Sequence, residues 1–437
     1  MTPGTIVPGR TDRRAMSNPA SSNLTRRATF TSAMMIALCT ALLGWNLLTA
    51  QNGRYANGVG VGADYLAFYN AGDILNRFGP SRLYDQKLQY DLYHERLPGE
   101  PSEASLPFAN GPQVAVAFRA LATLPYPTSY VLWTILSACV YVAGVLAFCA
   151  AAGLKGRHTG VALLLACAFE PFLVETLHGG QISSVAFALF GLGCLLVTRG
   201  LPMSAGFVFG TCCYKPTLLV VLIPALMVTR RWKELAGCSL AILFWAGVCV
   251  GVVGVQPCLD HLNLLTHYAT DAGATDGAFR AWKFVDLNTF LTLAGASKLV
   301  ARAVCVVSLG LVLYKLRTTS DGYNVDHDRI FLAMVLAWTP LLNGYAGAYD
   351  AVLVAGSALL ACGVLLRRDG RLPVTVVWTL IFVALSPWIT AHVARGIGVQ
   401  VFTLALLAWG LAVVRLPLIT RREQLAGAGS LEPTLAA

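Results

Sequence analysis

Apolar segments recur along almost the whole of this chain, each roughly 18 to 25 residues long and so able to carry a helix across a hydrocarbon core. That repetition leaves room for little besides a membrane protein. Of the 437 residues, 56% are hydrophobic and 12% charged, and the mean hydropathy is +0.63, far from the balance of a soluble domain. The length therefore reads as one all-α transmembrane domain over 28–417, between a disordered cytoplasmic tail over 1–27 and a second tail over 418–437.

The segments are Ala28–Ala50, Pro112–Leu124, Tyr126–Ala152, Gly160–Leu177, Ile182–Thr198, Pro202–Met227, Leu235–Val255, Leu299–Tyr314, Ile330–Leu342, Tyr349–Leu366, Leu372–His392 and Ile397–Val414. They make about twelve crossings. Thr49-Ala50 lies near where a signal peptide would be cut, but the apolar part is long and Leu48 is a poor small-residue match, so the first segment is read as uncleaved.

A formal net charge of +10 suits nucleic acid when it gathers on one soluble face, and here it is scattered in short clusters between apolar segments. No nucleic-acid partner is expected. Arg10, Arg13, Arg14, Arg26 and Arg27 place the N-terminus inside. Arg230-Arg231-Trp232-Lys233, Lys315 with Arg317 and Arg329, Arg367-Arg368 with Arg371, and Arg415 with Arg421-Arg422 then also fall inside. Lys155 and Arg157 land outside in this scheme. The large external segments become 51–111 and 256–298, with a short turn at Asn343–Asp350.

Most of the 12 cysteines fall inside apolar runs and no CxxC pair occurs, so they read as small core residues. Neither metal nor cofactor is implied. The chain also shows no Gly-rich phosphate loop after a strand, no Rossmann unit and no DxD motif in a soluble loop.

Chemistry collects at the external segments. Asp64 stands at the start of a long polar loop, just before Tyr65, Phe68, Tyr69 and Gly72 at helical spacing. It reads either as the N-cap of that helix or as a base that takes a proton from a hydroxyl at the bilayer surface. Two helices, Asp64–Phe78 and Tyr84–Arg96, are separated by Gly79-Pro80, and their aromatic and charged character suits an interfacial position. The second external segment carries Asp260, His261, His267, Tyr268, Asp271, Asp276, Arg280, Trp282, Lys283 and Asp286, a mixture able to bind sugar or phosphate or simply to be solvated.

Lys215 lies within an apolar stretch, where an ammonium needs a wet cavity, a route to the interface, or an acid such as Glu170 or Glu175. It is the leading candidate for an intramembrane functional cation, with Arg280 and Lys283 as weaker phosphate candidates. Arg119, His178 and Gln181 either line the same cavity or bond neighbouring helices, and the span count puts His178 and Gln181 on the inner side. Tyr349 and Asp350, on an external turn, can position an acceptor, or Asp350 can cap a helix. Tyr65, beside Asp64, joins them as an acceptor-side candidate.

The run Gly62-Ala63-Asp64-Tyr65-Leu66-Ala67-Phe68-Tyr69-Asn70-Ala71-Gly72, then Leu83-Tyr84-Asp85, Leu124-Pro125-Tyr126, Leu132-Trp133, Gly180-Gln181, Ala205-Gly206, Gly210 and Lys215-Pro216-Thr217, resembles the pattern of glycosyltransferase family 87 over about residues 28–366. The resemblance implies a GT-C-type bundle of about 12 transmembrane helices, with external interfacial helices in the first loop. It also implies a polyprenyl-phosphate-linked sugar donor, used on the extracytoplasmic face of the plasma (inner) membrane. Asp64 occupies the family's catalytic aspartate position. Relatives such as the mycobacterial phosphatidylinositol-mannoside mannosyltransferases make mannose the expected sugar and a lipid or glycan the expected acceptor, among membrane lipids. Asn110-Gly111-Pro112 departs from the family's Tyr-Pro-Pro, and Tyr349-Asp350 from its His-Tyr. A secondary transporter and a noncatalytic lipid-binding or assembly protein of envelope glycan synthesis are the competing readings.

Overall fold

The computed structural model describes residues 19–429 apart from 52, 56, 57, 59, 63, 99–105, 272–282, 320–323 and 345. Among the described residues all regular structure is helical, and β structure is limited to isolated bridges. Six helices are long and apolar enough to cross a membrane, or seven when the bent pair Arg157–Cys167 and Pro171–His178 is taken as one. The other expected crossings are shorter, broken, or do not cross.

The chain enters through α1 (Pro19–Leu48) and then forms α2 (Tyr65–Arg77) and α3 (Gln86–Arg96) in the first polar loop. Arg96 ties the two together, reaching Asp73 at 2.5 Å and the Asn70 amide oxygen at 2.9 Å. The aromatic residues of α2 are covered by protein. Tyr65, Phe68 and Tyr69 are buried against Phe118, Tyr126 and Trp133, because the following segment folds over them. That segment is α4 (Pro112–Phe118) and a 3₁₀ turn at Leu121–Thr123, so the expected span Pro112–Leu124 is not one. Its length explains the correction, since about 13 residues of helix rise only some 20 Å.

α5 (Tyr126–Ala152) begins beside Asp64, where the Tyr126 hydroxyl donates to the Val61 carbonyl at 2.6 Å. It ends where Arg329 donates to the Ala151 carbonyl at 2.6 Å and Arg367 to that of Ala152. Lys155 and Arg157 follow directly, so they lie at the end that holds Arg231, Arg329 and Arg367, not opposite it as the span count required. The chain returns through α6 (Arg157–Cys167) and a π-helical segment, Pro171–His178, bent by 54° from α6. α7 (Ser183–Thr198) then runs alongside α5 in the same direction, with Ser137 and Ser184 hydroxyls 2.7 Å apart.

The expected span Pro202–Met227 is two half-helices. α8 (Pro202–Gly210) and α9 (Leu222–Val228) flank two 3₁₀ turns, Thr211–Tyr214 and Pro216–Leu219, with Lys215 between them. Pro216 removes an amide and disfavours helix at Lys215, whose φ −135 and ψ 83 are extended. α8 packs backbone to backbone against α10 (Trp232–Val253), where a Cβ on Gly206 would sit 2.0 Å from the Glu234 carbonyl oxygen. Small residues permit such approaches between apolar helices.

α11 (Val255–Asp271) and the short α12 (Leu287–Leu293) lead to α13 (Lys298–Thr319). The centre of the bundle is α14 (Val325–Leu342), buried from Ile330 to Leu342. Beside it stand α15 (Val352–Asp369), α16 (Val374–Ile397) and α17 (Val401–Gly429). The Trp409 indole donates to Ser357 at 2.9 Å and Ser357 to the Ala333 carbonyl at 2.7 Å, joining α17, α15 and α14 by polar contacts in an apolar core.

Candidate functional site

One end of the bundle collects the turns at Asp64, Gly179–Ser183, Lys215 and Asp350. Asp64 immediately precedes α2 but makes no side-chain cap. Its backbone amide and that of Tyr65 donate instead to the Gly179 carbonyl, each at 3.1 Å, and its Oδ2 accepts from the Gln181 amide at 2.8 Å. The cap reading fails because the carboxylate is turned away from the helix amides, toward the 179–181 loop.

That loop is fixed by what surrounds it. The Tyr130 hydroxyl donates to the His178 carbonyl at 2.7 Å and the Trp133 indole to that of Gly180 at 3.0 Å, so α5 grips it from one side. Gly180 has φ +75, and a Cβ there would lie 2.5 Å from Tyr65 Cβ. Only glycine meets both conditions. Gln181 therefore lies at the same end as Asp64, and the inner-side position assigned by span counting is wrong; dropping Pro112–Leu124 as a crossing removes the discrepancy. His178 contributes its carbonyl here, while its imidazole faces the Cys39 backbone of α1.

Two residues past Gln181, the buried Ser183 hydroxyl donates to Asp350 Oδ1 at 3.2 Å, and Asp350 Oδ2 meets Lys215 Nζ at 2.5 Å. Asp350, in the 3₁₀ turn Ala348–Ala351, is 2% exposed at its side chain and Lys215 20%. Lys215 thus has an acid partner, though neither Glu170 nor Glu175, and Asp350 is an ion-pair partner rather than a helix cap. The Lys215 ammonium also stands 4.7 Å from the centre of the Tyr349 ring. An ammonium has three donors, and the side chain keeps a fifth of its surface open.

Asp64 and Lys215 are in this way joined through one short stretch, 181–183, whose alternate side chains hold the carboxylate of Asp64 and that of Asp350. The sequence reading missed Ser183 altogether. It also treated Glu175 only as a partner for Lys215, whereas Glu175, on the π-helical segment, lies within electrostatic reach of Lys283 and of Asp64. π-Helical turns gather at functional sites, but no pattern of residues announces one beforehand.

Lys283 neighbours the Asp350 turn through Val285, whose amide donates to the Ala346 carbonyl at 2.9 Å. Tyr65 is fully buried and bonded to Ser129, so its hydroxyl is not offered to an acceptor. Arg119 bonds Asn76 across the α2–α4 packing, at 3.0 Å. Asp286 caps α12 through the Thr289 amide at 2.8 Å, and burial pushes its carboxyl upward against that hydrogen bond. Arg280, Asp276 and Trp282, and the side chains of His267, Tyr268 and Asp271, lie outside the described residues. Among the described residues no group of three His, Cys, Asp or Glu is placed to hold a metal ion.

The family model described as Glycosyltransferase family 87 matches residues 108–338, more than half of the chain. The chain belongs to glycosyltransferase family 87. The matched stretch contains Gly180-Gln181, Ser183, Lys215 and Lys283; Asp64 and Asp350 lie on either side of it and reach it through the hydrogen bonds just described. No curated protein and no solved structure matches the chain. Family membership makes this multi-pass membrane protein a glycosyltransferase, with a donor and an acceptor as its substrates.

Proposed function

We propose that the protein transfers a sugar, mannose in the first instance, from a polyprenyl-phosphate carrier to a lipid or glycan acceptor at the extracytoplasmic face of the plasma membrane, on a GT-C-type scaffold. The observation that carries this reading is the release of Asp64 from capping and its fixation by Gln181 at the end of the bundle that also holds Lys215. A carboxylate held by a single amide keeps lone pairs for an incoming hydroxyl. Asp64 takes the acceptor proton as the hydroxyl oxygen bonds to the anomeric carbon; the bond from that carbon to the phosphate oxygen breaks, and the centre inverts. Lys215, with Lys283 behind it, offers N–H donors to the departing polyprenyl phosphate.

A lipid-borne donor suits a chain in which no nucleotide-binding unit is evident and whose polar turns gather where apolar helices end. The basic residues support this sidedness: Arg231, Arg329 and Arg367 lie at the opposite end, and clustered Lys and Arg favour the cytoplasm.

The test is Asp64→Asn in purified, lipid-reconstituted protein supplied with polyprenyl-phosphate sugars and extracted acceptors. Asparagine keeps an oxygen for Gln181 but takes up no proton. Turnover falls by about 10²–10⁴-fold while the melting curve stays in place. Near-normal turnover with unchanged melting would remove Asp64 as the base.

A further inference from the structure

A polar recess opens at the same end of the bundle, between the start of α3 and α11. It has a volume of about 430 Å³ and is lined by Tyr84, Gln86, Asp260, Asn263 and Leu264. Beneath it Tyr84 stacks on His261, with ring centres 5.7 Å apart and planes 25° apart. His261 is 7% exposed, and among the described residues its buried Nδ1 has no hydrogen-bond partner.

The lining is selective in its chemistry. One carboxylate, two amides and an aromatic ring provide acceptors and donors for vicinal hydroxyls beside an apolar surface. Among the described residues no basic side chain lines the recess, and burial holds the His261 imidazole at a pKa of about 4, so it brings no positive charge at neutral pH. A phosphate or acidic headgroup would meet Asp260 uncompensated. The recess is also tied to the reaction centre: the Tyr84 hydroxyl donates to the Asn110 carbonyl at 2.8 Å, and the next amide, Gly111, donates to the carbonyl of Tyr214 at 3.0 Å, the residue before Lys215.

We propose that this recess binds an uncharged saccharide, as the glycan portion of the acceptor. The assignment as acceptor rests on the transferase reading above; the assignment as a saccharide site does not.

The experiment measures binding without turnover, by saturation-transfer NMR on the Asp64→Asn protein in nanodiscs, with mannotetraose, maltotetraose and cellotetraose as probes. At least one tetrasaccharide binds, with a dissociation constant on the order of millimolar. Asp260→Ala with Asn263→Ala, on the outer face of α11 and checked by its melting curve, weakens binding about tenfold, as loss of two hydrogen bonds demands. In the otherwise native enzyme the same pair of changes raises the acceptor KM by a similar factor and leaves kcat and the donor KM unaltered. Absence of binding by all three probes, or equal binding by the double variant, overturns the proposal. Saccharide binding together with an absence of transferase activity in the native protein, in which Asp64 is intact, leaves the recess assigned and defeats the catalytic reading alone.

Discussion

The Lys215–Asp350 pair has two possible roles, structural and catalytic, and its geometry allows them to be separated. Asp350 is almost wholly buried while Lys215 is a fifth exposed, so Lys215→Met strands a carboxylate in an apolar surround. Breaking a buried pair from one side typically costs about 3–5 kcal/mol, whereas replacing both charges by neutral residues of similar size is often tolerated. Lys215→Met is therefore expected to melt well below the wild-type protein, and Lys215→Met/Asp350→Asn to recover most of that loss. If Lys215 serves the leaving phosphate, the recovered double variant stays inactive. Full turnover by that variant would confine the pair to holding the fold.

The loop between the π-helical segment and α7 stands or falls with Gly180, and Gly200 provides its control. Both have left-handed φ, +75 and +73, but a Cβ on Gly200 meets nothing within 4 Å. Gly200→Ala should thus lose only the conformational term, about 1–2 kcal/mol, and keep its activity. Gly180→Ala must in addition move Tyr65 away from the loop that holds Asp64, so both stability and turnover fall further. Equal losses at the two positions would show that the close approach is not what requires glycine.

At the opposite end, α14 is fastened by Asp326, which accepts from Arg329 at 2.6 Å and from Arg367 at 2.7 Å. Burial raises the Asp326 pKa, but the two guanidinium groups outweigh it and hold the carboxyl below its ordinary value. A depressed carboxyl contributes stability that is present above its unfolded pKa, about 3.9, and is lost as pH falls through the lower folded value. The melting-temperature gap between wild type and Asp326→Asn is accordingly expected to be open at pH 6 and to close toward pH 3. A gap that does not change with pH would mean that the ion pairs add nothing to the contacts around them.

For the molecule as a whole, sidedness is the decisive measurement. Cysteines placed singly at Gly156, Lys233 and Asp369 should label from the cytoplasmic side, and those at Gln86, Asn263 and Ser297 from the other. Gly156 is the informative position, because counting apolar segments puts it outside while the Arg329 and Arg367 contacts to the end of α5 put it with Lys233. Labelling of Gly156→Cys together with Gln86→Cys would defeat the arrangement.

Composition and apolar length are additive along a chain, and that is why the sequence alone determined a helical, many-times-crossed membrane protein and its two polar loops. The ordered turn motifs carried the family. Span counting failed at Pro112–Leu124 and Pro202–Met227 because hydropathy does not register whether an apolar stretch crosses, lies over buried aromatic rings, or breaks at a proline beside a lysine. Only the tertiary structure decided that Asp64 is held by Gln181 and not by its own helix, and that Lys215 meets Asp350. Those partners are separated by 117 and 135 residues, and their contact depends on how the helices between them pack, a property that no local pattern of residues contains.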